Sequence, residues 1–439
     1  MRCLWLLLAV SLAAVVPRAG AAGFTVQVGT FEEPWRAEAL VTEIAGEHPG
    51  QAKVLADPER GLQRVCVGWF SRRIDARLVR DALRERDERF EGAFVRSAPE
   101  GFLENPAHFL EFAPPIFTLP AENAAEMSIQ RLDGISAYEE LESVRQNEPR
   151  DEFRRALLLA FPNHEPDDPV RGYIQVQLSI LEGYAGNFDL ALGWVEPVAM
   201  GKVAASAEHL ERALVRWAWF THRTPGGRTT AYQAWREIER FAGSEEVRRR
   251  ALVATTGLMM ELAESGAGTH EEVRREVARN LEILPGSDVK NRAVLELMYS
   301  ETYGRQPEPD YARSAQLQEE FLEKYTPLNE GGVVQRELNT ALRQAGMFHR
   351  MAGNLETGRY YFERVLAEVP ADTRDHFRGY HPHSQALLGL AILEEEAGNH
   401  AKGREYRARL VRDYPDQIAG RQALHRNPEL LQYRLDMDE

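Results

Sequence analysis

The chain has 439 residues, a formal net charge of −15, and 44% hydrophobic against 28% charged residues. This length predicts roughly two to four domains, and the apolar fraction excludes an intrinsically disordered chain. The acidic balance argues against a nucleic-acid-binding protein, which normally carries a basic surface. Two cysteines exclude a disulfide framework and any metal site built from four thiolates.

The first 22 residues predict a secretory signal peptide. Arg2 precedes an apolar run from Leu4 to Val16 that ends at Pro17, and Ala19-Gly20-Ala21 has the small-residue pattern of a cleavage site. An uncleaved anchor is the alternative, and a lipoprotein is disfavoured because Cys3 precedes the apolar run. No later stretch is apolar enough to cross a bilayer. We therefore expect a periplasmic protein without stable membrane insertion.

Residues 23–97 predict a small α+β domain. The segment Phe24–Val28 alternates apolar and polar residues with the period of a half-buried strand. Ala37, Leu40, Val41 and Ile44 then repeat with the period of an amphipathic helix. Further segments predict two strands, a helix and a closing strand, at residues 52–56, 63–70, 74–83 and 93–96. The order β-α-β-β-α-β predicts a ferredoxin-like fold.

Two short motifs in this domain resemble the SPOR family of peptidoglycan-binding modules. The first half contains Gln27-Val28-Gly29-Thr30-Phe31 and the second contains the segment from Arg64 to Phe70, RVCVGWF. They match the family patterns Q-x-G-S/T-F and R-V-x-V-G-x-F, and a predicted helix follows each of them. The resemblance covers about 74 residues and implies binding of glycan strands whose stem peptides have been removed.

The resemblance places the ligand on the open face of the sheet and implies glycan contacts from Gln27, Thr30 and Arg64. The strand alternation independently puts Gln27 and Arg64 on the polar side, where amide and guanidinium groups can bond sugar hydroxyls. An ordinary solvated sheet face is the alternative. Leu62 stands where some members have an aromatic residue, and Trp69 replaces a common proline, which weakens the expected stacking platform unless Trp69 compensates.

Residues 98–130 predict a semi-rigid linker, because five of the 23 prolines lie between Pro99 and Pro120. The segment also contains apolar residues that are unusual for a free linker. Either they dock on a neighbouring domain, or they form a strip that binds a partner. These residues are Phe109, Leu110, Phe112, Ile116 and Phe117.

Residues 131–439 predict an array of roughly 12 to 15 helices with internal repeats. The tripeptide Ala-Gly-Asn occurs at 185–187, 352–354 and 397–399. A small residue follows five positions after each glycine and an aromatic residue three positions later, and a proline closes the last two copies. These residues are Ala191, Gly358 and Gly403; Trp194, Tyr361 and Tyr406; Pro370 and Pro415.

This layout is similar to the tetratricopeptide repeat, in which glycine turns the chain between two antiparallel helices. Between the recognisable copies, four further helices are predicted at residues 209–222, 230–241, 245–264 and 314–325. Such arrays expose a groove for an extended peptide or a protein partner. Residues 98–439 contain 39 basic and 55 acidic residues. Either a basic partner segment or simple solvation accounts for that balance.

The residues that could carry chemistry do not form a catalytic motif, so we expect no enzyme and no cofactor. His376, His381 and His383 have a spacing that could hold a metal, but an exposed loop is the commoner explanation and we predict no metal site. Cys66 is the one cysteine left after signal removal. It is either a buried small hydrophobic residue or a thiol available for a mixed disulfide.

The sequence as a whole predicts a peptidoglycan-binding protein of the bacterial envelope, active in division or wall remodelling. The SPOR-like sheet would bind glycan strands, and the helical repeats would bind a protein partner. The alternative is a periplasmic tetratricopeptide-type scaffold for secretion or outer-membrane assembly that does not bind glycan. An enzyme acting on wall polymers is a third class, for which no motif is present.

Overall fold

A computed structural model describes residues 23–57, 60–98, 132–373 and 381–426, together with Leu103, Ala107, Phe112 and residues 115–117. The chain divides into two compact units, Met1–Pro115 and Ile116–Glu439, and this division falls inside the predicted linker. The predicted signal peptide lies outside the described residues. No helix in the described part of the chain is both long and apolar enough to span a bilayer.

The N-terminal unit contains a four-stranded sheet and two helices. Its strand order is β2-β3-β1-β4, and each neighbouring pair is antiparallel. The elements in chain order are β1 (Gly23–Phe31), α1 (Pro34–Glu47), β2 (Ala52–Asp57), β3 (Leu62–Phe70), α2 (Arg73–Arg86), a short 3-10 turn (Glu88–Phe90) and β4 (Phe94–Ala98).

One face of this sheet packs against α1 and α2 and forms the core of the unit. Val26 and Val28 of β1 and Val65 and Val67 of β3 are buried there, as the alternating pattern predicts. Gly68 interrupts the alternation, because its positive φ of 64° forms a bulge between Val67 and the end of β3. As a result, Val67 and Phe70 both lie in the helix-side core, whereas Trp69 lies on the opposite face with Cys66.

The described residues of the predicted linker pack within each unit separately. In the N-terminal unit, Phe112 contacts the rings of Phe70 and His48, with centroids 6.1 and 4.5 Å apart. In the C-terminal unit, the ring of Phe117 packs edge-on against Trp217 at 5.3 Å. These apolar side chains are therefore docked, as one of the two linker alternatives predicts.

The C-terminal unit is helical, and fifteen helices lie in its described residues. This number agrees with the predicted 12 to 15. They are α3 (Ser136–Asn147), α4 (Arg150–Ala160), α5 (Pro169–Tyr184), α6 (Phe188–Ala199), α7 (Ala207–Arg223), α8 (Arg228–Phe241), α9 (Glu245–Glu264), α10 (His270–Ile283), α11 (Val289–Arg305), α12 (Tyr311–Tyr325), α13 (Gln335–Met351), α14 (Leu355–Glu368), α15 (Pro382–Glu396), α16 (His400–Asp413) and α17 (Ile418–Arg426).

Each Ala-Gly-Asn motif forms the turn between two antiparallel helices, which confirms the predicted repeat layout. The glycines at 186, 353 and 398 have φ values of 83°, 85° and 83°, in the left-handed region that favours glycine. At the small-residue position, a Cβ on Gly358 or Gly403 would lie 3.1 Å from a backbone oxygen of the preceding helix. The small residue therefore permits the close approach of paired helices.

The odd-numbered helices from α5 to α17 form one continuous layer, called here the odd layer. Each of these helices contacts its partner in the pair and also the next odd-numbered helix. In a stack of paired helices, closer approach within one layer places that layer on the inside of the curve. The odd layer therefore corresponds to the groove side of the repeat array.

Candidate functional site

The three predicted glycan contacts lie together on the second face of the sheet. Thr30 of β1 is directly opposite Arg64 of β3, and Gln27 is opposite Cys66. A register shift between Gln27 and Gly29 brings the Gln27 side chain to Thr30, so that its Nε2 donates to Oγ1 at 2.8 Å. The structure thus places the three residues on one face of the sheet.

Each of the longer side chains already has a partner in the sheet. Arg96 of β4 donates from Nη1 to the Oε1 atom of Gln27 at 2.9 Å, and Gln27 is only 6% exposed. The Arg64 guanidinium forms an ion pair with Asp57 at the end of β2. Sequence reasoning missed Arg96 and Asp57. The alternation of β4 indicates the face on which Arg96 lies. That Arg96 bonds to Gln27 follows only from the strand order, which places β4 beside β1.

Cys66 occupies the centre of the same face and is completely buried, which supports the buried alternative. It packs with Leu103, Ala98 and the partly buried ring of Trp69. Burial raises the pKa of its thiol to about 11, and the nearby Arg96 opposes that shift only in part. The expectation of an open sheet face is therefore wrong at this position, because the chain beyond β4 covers it.

Trp69 does not compensate for the weakened stacking platform. Its ring packs into the cluster around Cys66, and its indole Nε1 is buried without a hydrogen-bond partner among the described residues. The bulge at Gly68 turns Trp69 to this face and sends Phe70 into the helix-side core. The aromatic ring therefore contributes packing to the domain instead of a surface for a sugar.

An exposed aromatic surface instead lies on the helix side of the N-terminal unit. An open pocket of about 530 Å³ lies beside α1, and Trp35 at its edge is 65% exposed. The charged groups around it are paired, since Arg89 lies 2.8 Å from Glu43 and Arg36 lies 3.5 Å from Glu33. The pocket therefore offers a ring surface and no net charge.

The C-terminal unit carries a group of arginines around Tyr184, called here the arginine patch: Arg150, Arg212, Arg216 and Arg250. Arg216 of α7 interacts with Tyr184 of α5, Arg212 of α7 and Arg250 of α9, so the patch spans three helices of the odd layer. The guanidinium of Arg150 lies 5.2 Å from the centroid of the Tyr184 ring. Tyr184 is 66% exposed, so this group is accessible.

The patch has an excess of positive charge although the chain is acidic. Arg212 pairs with Glu208 at 2.6 Å, but the ion pairs formed within the described residues include none to Arg150, Arg216 or Arg250. Burial lowers the pKa of Arg216, and the neighbouring guanidiniums add to that shift. The patch can therefore accept carboxylate groups from another molecule.

A buried chain of hydrogen bonds fixes the odd layer farther along the array. Gln318 of α12 donates to Ser300 of α11 at 2.6 Å and to Gln344 of α13 at 2.9 Å. Gln344 in turn donates to Glu301 at 2.6 Å, and Glu301 pairs with Arg305 at 2.7 Å. The chain of bonds joins α11, α12 and α13 and has a structural role, while the Oε1 atom of Gln318 is buried without a hydrogen-bond partner among the described residues.

The histidines of the insert are not an exposed loop where the structure describes them. His381 and His383 are both buried, and His383 Nε2 lies 2.7 Å from the carbonyl oxygen of Val369. The His381 ring packs against Tyr414 at 4.6 Å. His376 lies outside the described residues. Within the described part of the chain, no group of histidine, cysteine or acidic residues has a metal-binding arrangement.

When the chain is compared with known proteins, the similarity found is to solved structures of helical repeat proteins. The chain matches no protein-family model, and it matches no curated protein. Among solved structures, it is 13% identical to PilW, described as a widely conserved type IV pilus biogenesis factor. That match has a TM-score of 0.40 and covers 58% of this chain and 98% of PilW.

Two other solved structures show a similar likeness. A tetratricopeptide repeat protein from Parabacteroides merdae is 13% identical, with a TM-score of 0.44, covering 68% of this chain and 99% of that one. A signal transduction ATPase with a tetratricopeptide repeat sensor, from Pyrococcus horikoshii, is 12% identical with a TM-score of 0.47. It is matched over 64% of this chain and 42% of its own.

Proposed function

We propose that this protein is a scaffold of the cell envelope, acting in secretion or outer-membrane assembly, whose helical unit binds an acidic segment of a protein partner. The arginine patch is the observation that carries this proposal. The signal-like N-terminus supports export, and paired-helix arrays commonly bind extended segments along one layer.

The electrostatics of the patch favour an acidic ligand over a basic one. Arg216 is half-buried and interacts with two other guanidiniums. It has therefore lost part of its hydration without forming an ion pair to a carboxylate among the residues that the structure describes. A partner carboxylate would compensate for that loss through charge-assisted, often bidentate, hydrogen bonds. The overall acidity of the unit left open a basic partner segment or simple solvation, and the local arrangement on the odd layer supports an acidic partner instead.

The composition of the patch also suits a binding surface. Arginine and tyrosine are enriched among the residues that dominate binding energy at protein interfaces. Tyr184 presents an exposed ring with Arg150 over it, which gives a partner both an apolar contact and a charge contact. The surrounding negative charge limits attraction to short range, so the patch would select a partner by local fit.

The test is binding of a fluorescein-labelled ten-residue peptide of alternating Glu and Ala, measured by anisotropy at low salt. The double variant Arg216→Ala/Arg250→Ala should weaken binding at least tenfold. Arg240→Ala is the matched control, because Arg240 is also exposed beside an aromatic ring, Phe241, but lies on α8 outside the odd layer. An equal loss in the control, or no loss in the double variant, would refute the proposal.

Glycan binding by the N-terminal unit is a second candidate function, supported by the SPOR-like motifs and by the grouping of Gln27, Thr30 and Arg64 on one face. Co-sedimentation with amidase-treated sacculi tests it. Loss of binding in Gln27→Ala/Arg64→Ala, with binding retained in Trp35→Ala, would support the sheet-face site. The reverse result would move the site to the pocket beside α1, and no binding by the wild-type chain would exclude this function.

A further inference from the structure

A buried carboxylate in the helical unit holds the backbone of a distant segment. The Glu237 side chain on α8 accepts a hydrogen bond from the N–H of Ile116 at 2.8 Å on one oxygen. Its other oxygen accepts from the N–H of Phe117 at 3.0 Å. Gln233, one turn earlier on α8, donates to the first oxygen at 3.3 Å. Glu237 is 1% exposed, so the contact is shielded from water.

The side chain of the same segment enters an aromatic contact. Phe117 is buried, and its ring lies edge-on to Trp217 of α7 at 5.3 Å and 75°. Trp217 is also buried, and its indole Nε1 has no hydrogen-bond partner among the described residues. Glu237, Gln233 and Trp217 together form what is called here the Glu237 site.

The energetics of the site favour a role in recognition. A buried carboxylate without a cation is costly, because it loses hydration and gains no opposite charge. Burial accordingly raises the pKa of Glu237, and all the hydrogen bonds that oppose this shift come from neutral donors. Two of these three donors belong to residues 116 and 117, which lie about 120 positions away in the sequence.

The chemistry of the bound segment defines what fits the site. Pro114 and Pro115 have no backbone N–H, so Ile116 and Phe117 offer the first donors after them. The chain bends at Ile116 and Phe117, so both N–H groups point to one carboxylate. A matching ligand has two consecutive free backbone N–H groups and an aromatic side chain on the second residue.

We propose that the Glu237 site is a peptide-recognition site, which residues 116–117 occupy in cis and which an extended partner segment of the same chemistry occupies in trans. Attachment in the same chain gives the cis segment a high effective concentration. The site is therefore closed to weak competitors until the cis segment is displaced. This site is separate from the arginine patch and selects a ligand by backbone donors and an aromatic ring.

A labelled peptide with the sequence of residues 111–120, EFAPPIFTLP, tests the proposal by anisotropy against the full chain. The wild-type chain should bind it weakly, and Phe117→Ala, which vacates the aromatic contact, should bind at least tenfold more tightly. The double variant Phe117→Ala/Glu237→Gln should lose that gain. A peptide methylated on the two nitrogens that correspond to Ile116 and Phe117 should not bind the single variant.

Limited cleavage by chymotrypsin gives a second measurement that does not depend on the peptide. The bond after Phe117 should be protected in the wild-type chain and cleaved at least tenfold faster in Glu237→Gln. Glu239→Gln is the matched control, since it changes a carboxylate two residues farther along the same helix. Equal peptide binding by wild type and Phe117→Ala, binding by neither, or equal cleavage in Glu237→Gln and the control would overturn the proposal. The arginine-patch test is unaffected by any of these outcomes.

Discussion

Two groups of polar side chains differ in whether the fold supplies their partners. One is the sheet cluster, formed by Gln27, Thr30, Asp57, Arg64 and Arg96, and the other is the arginine patch on the helical unit. In the sheet, the Arg64 charge is paired with Asp57, and Arg96 donates to the neutral amide oxygen of Gln27, so both arginines have a partner within the domain. On the odd layer, Arg216 faces other guanidiniums and a tyrosine. A polar side chain is available for a ligand only when the fold has not already supplied its partner.

The comparison predicts that the sheet cluster stabilises its domain and that the arginine patch does not stabilise the array. Three of the four measurements below test this difference, and the second tests how burial acts on a titratable group elsewhere in the helical unit. They are ordered from the largest expected effect, on the reactivity of the buried Cys66 thiol, to the smallest, on the free energy of unfolding of a variant in the patch.

The largest expected effect is the protection of Cys66. In a Cys3→Ser background, the Cys66 thiol should react with a thiol reagent at pH 8 at least 100-fold more slowly in the folded chain than in urea. The reason is that burial raises its pKa to about 11 and blocks access. An engineered Glu38→Cys on the exposed side of α1 should react rapidly, and rapid labelling of folded Cys66 would show that the sheet face is open.

The second effect concerns a buried histidine of the helical unit. His209 packs against Tyr173 at 5.2 Å, and its Nδ1 lies 2.7 Å from Ser206 Oγ. Burial lowers the pKa of His209 to about 4. In the unfolded chain, the pKa of this histidine is near 6.5. The neutral, buried His209 therefore contributes its full stabilisation of the folded state above pH 6.5, and this stabilisation is lost as the pH falls toward 4.

The free energy of unfolding should therefore fall by about 2 kcal/mol between pH 7 and pH 5 through this one group. Urea unfolding followed by circular dichroism at 222 nm measures it. The variant His209→Gln should remove that part of the pH dependence, and the exposed His400→Gln should leave it unchanged. An unaltered pH dependence in His209→Gln would contradict the prediction.

The third effect is the structural role of Gln27. Gln27→Ala removes hydrogen bonds to Thr30 and Arg96 and leaves the Arg96 donor unpaired, so it should lower local stability by about 1–2 kcal/mol. Hydrogen exchange measured on peptides from residues 23–98 isolates this unit. Exchange should accelerate relative to wild type and to the exposed control Glu38→Ala. No acceleration would indicate that the Gln27 amide is available to a ligand.

The smallest effect is on the arginine patch. Arg216→Gln removes a partly desolvated guanidinium without an ion-pair partner in the described residues, so stability should be unchanged or rise by about 0.5 kcal/mol. Arg154→Gln is the informative contrast, because Arg154 pairs with the buried Glu182 at 2.7 Å and its loss should destabilise the array. If Arg216→Gln destabilises as much as Arg154→Gln, the patch is structural.

The repeat turns and the sheet could be predicted from the sequence because each depends on residues only a few positions apart. The Ala-Gly-Asn motif has the same backbone requirement at each occurrence, namely a glycine with positive φ between two helices. The alternation in β1 and β3 likewise identified which side chains share a face. Such features depend on neighbours a few positions apart, and the structure confirms them.

Whether the side chains of the candidate sites are buried, exposed or paired could not be predicted from local patterns in the sequence. The orientation of Trp69 depends on a bulge at Gly68, and the burial of His381 and His383 depends on Tyr414 and Val369 from neighbouring parts of the array. The total charge of the unit left a basic partner or simple solvation open, whereas the patch depends on three helices that place like charges near one another. The net charge of a chain does not show which charged residues the fold brings close together.

The sequence by itself determined the order of strands and helices, the repeat turns and the face on which Gln27 and Arg64 lie, because periodicity and turn chemistry act over a few residues. Only the tertiary structure decided which polar groups are satisfied. It joins Arg64 to Asp57, gives Arg216 no ion pair with a carboxylate in the described part of the chain, and brings residues 116–117 to Glu237. These outcomes depend on contacts between distant positions, and the free energy of a buried charge is set by those contacts.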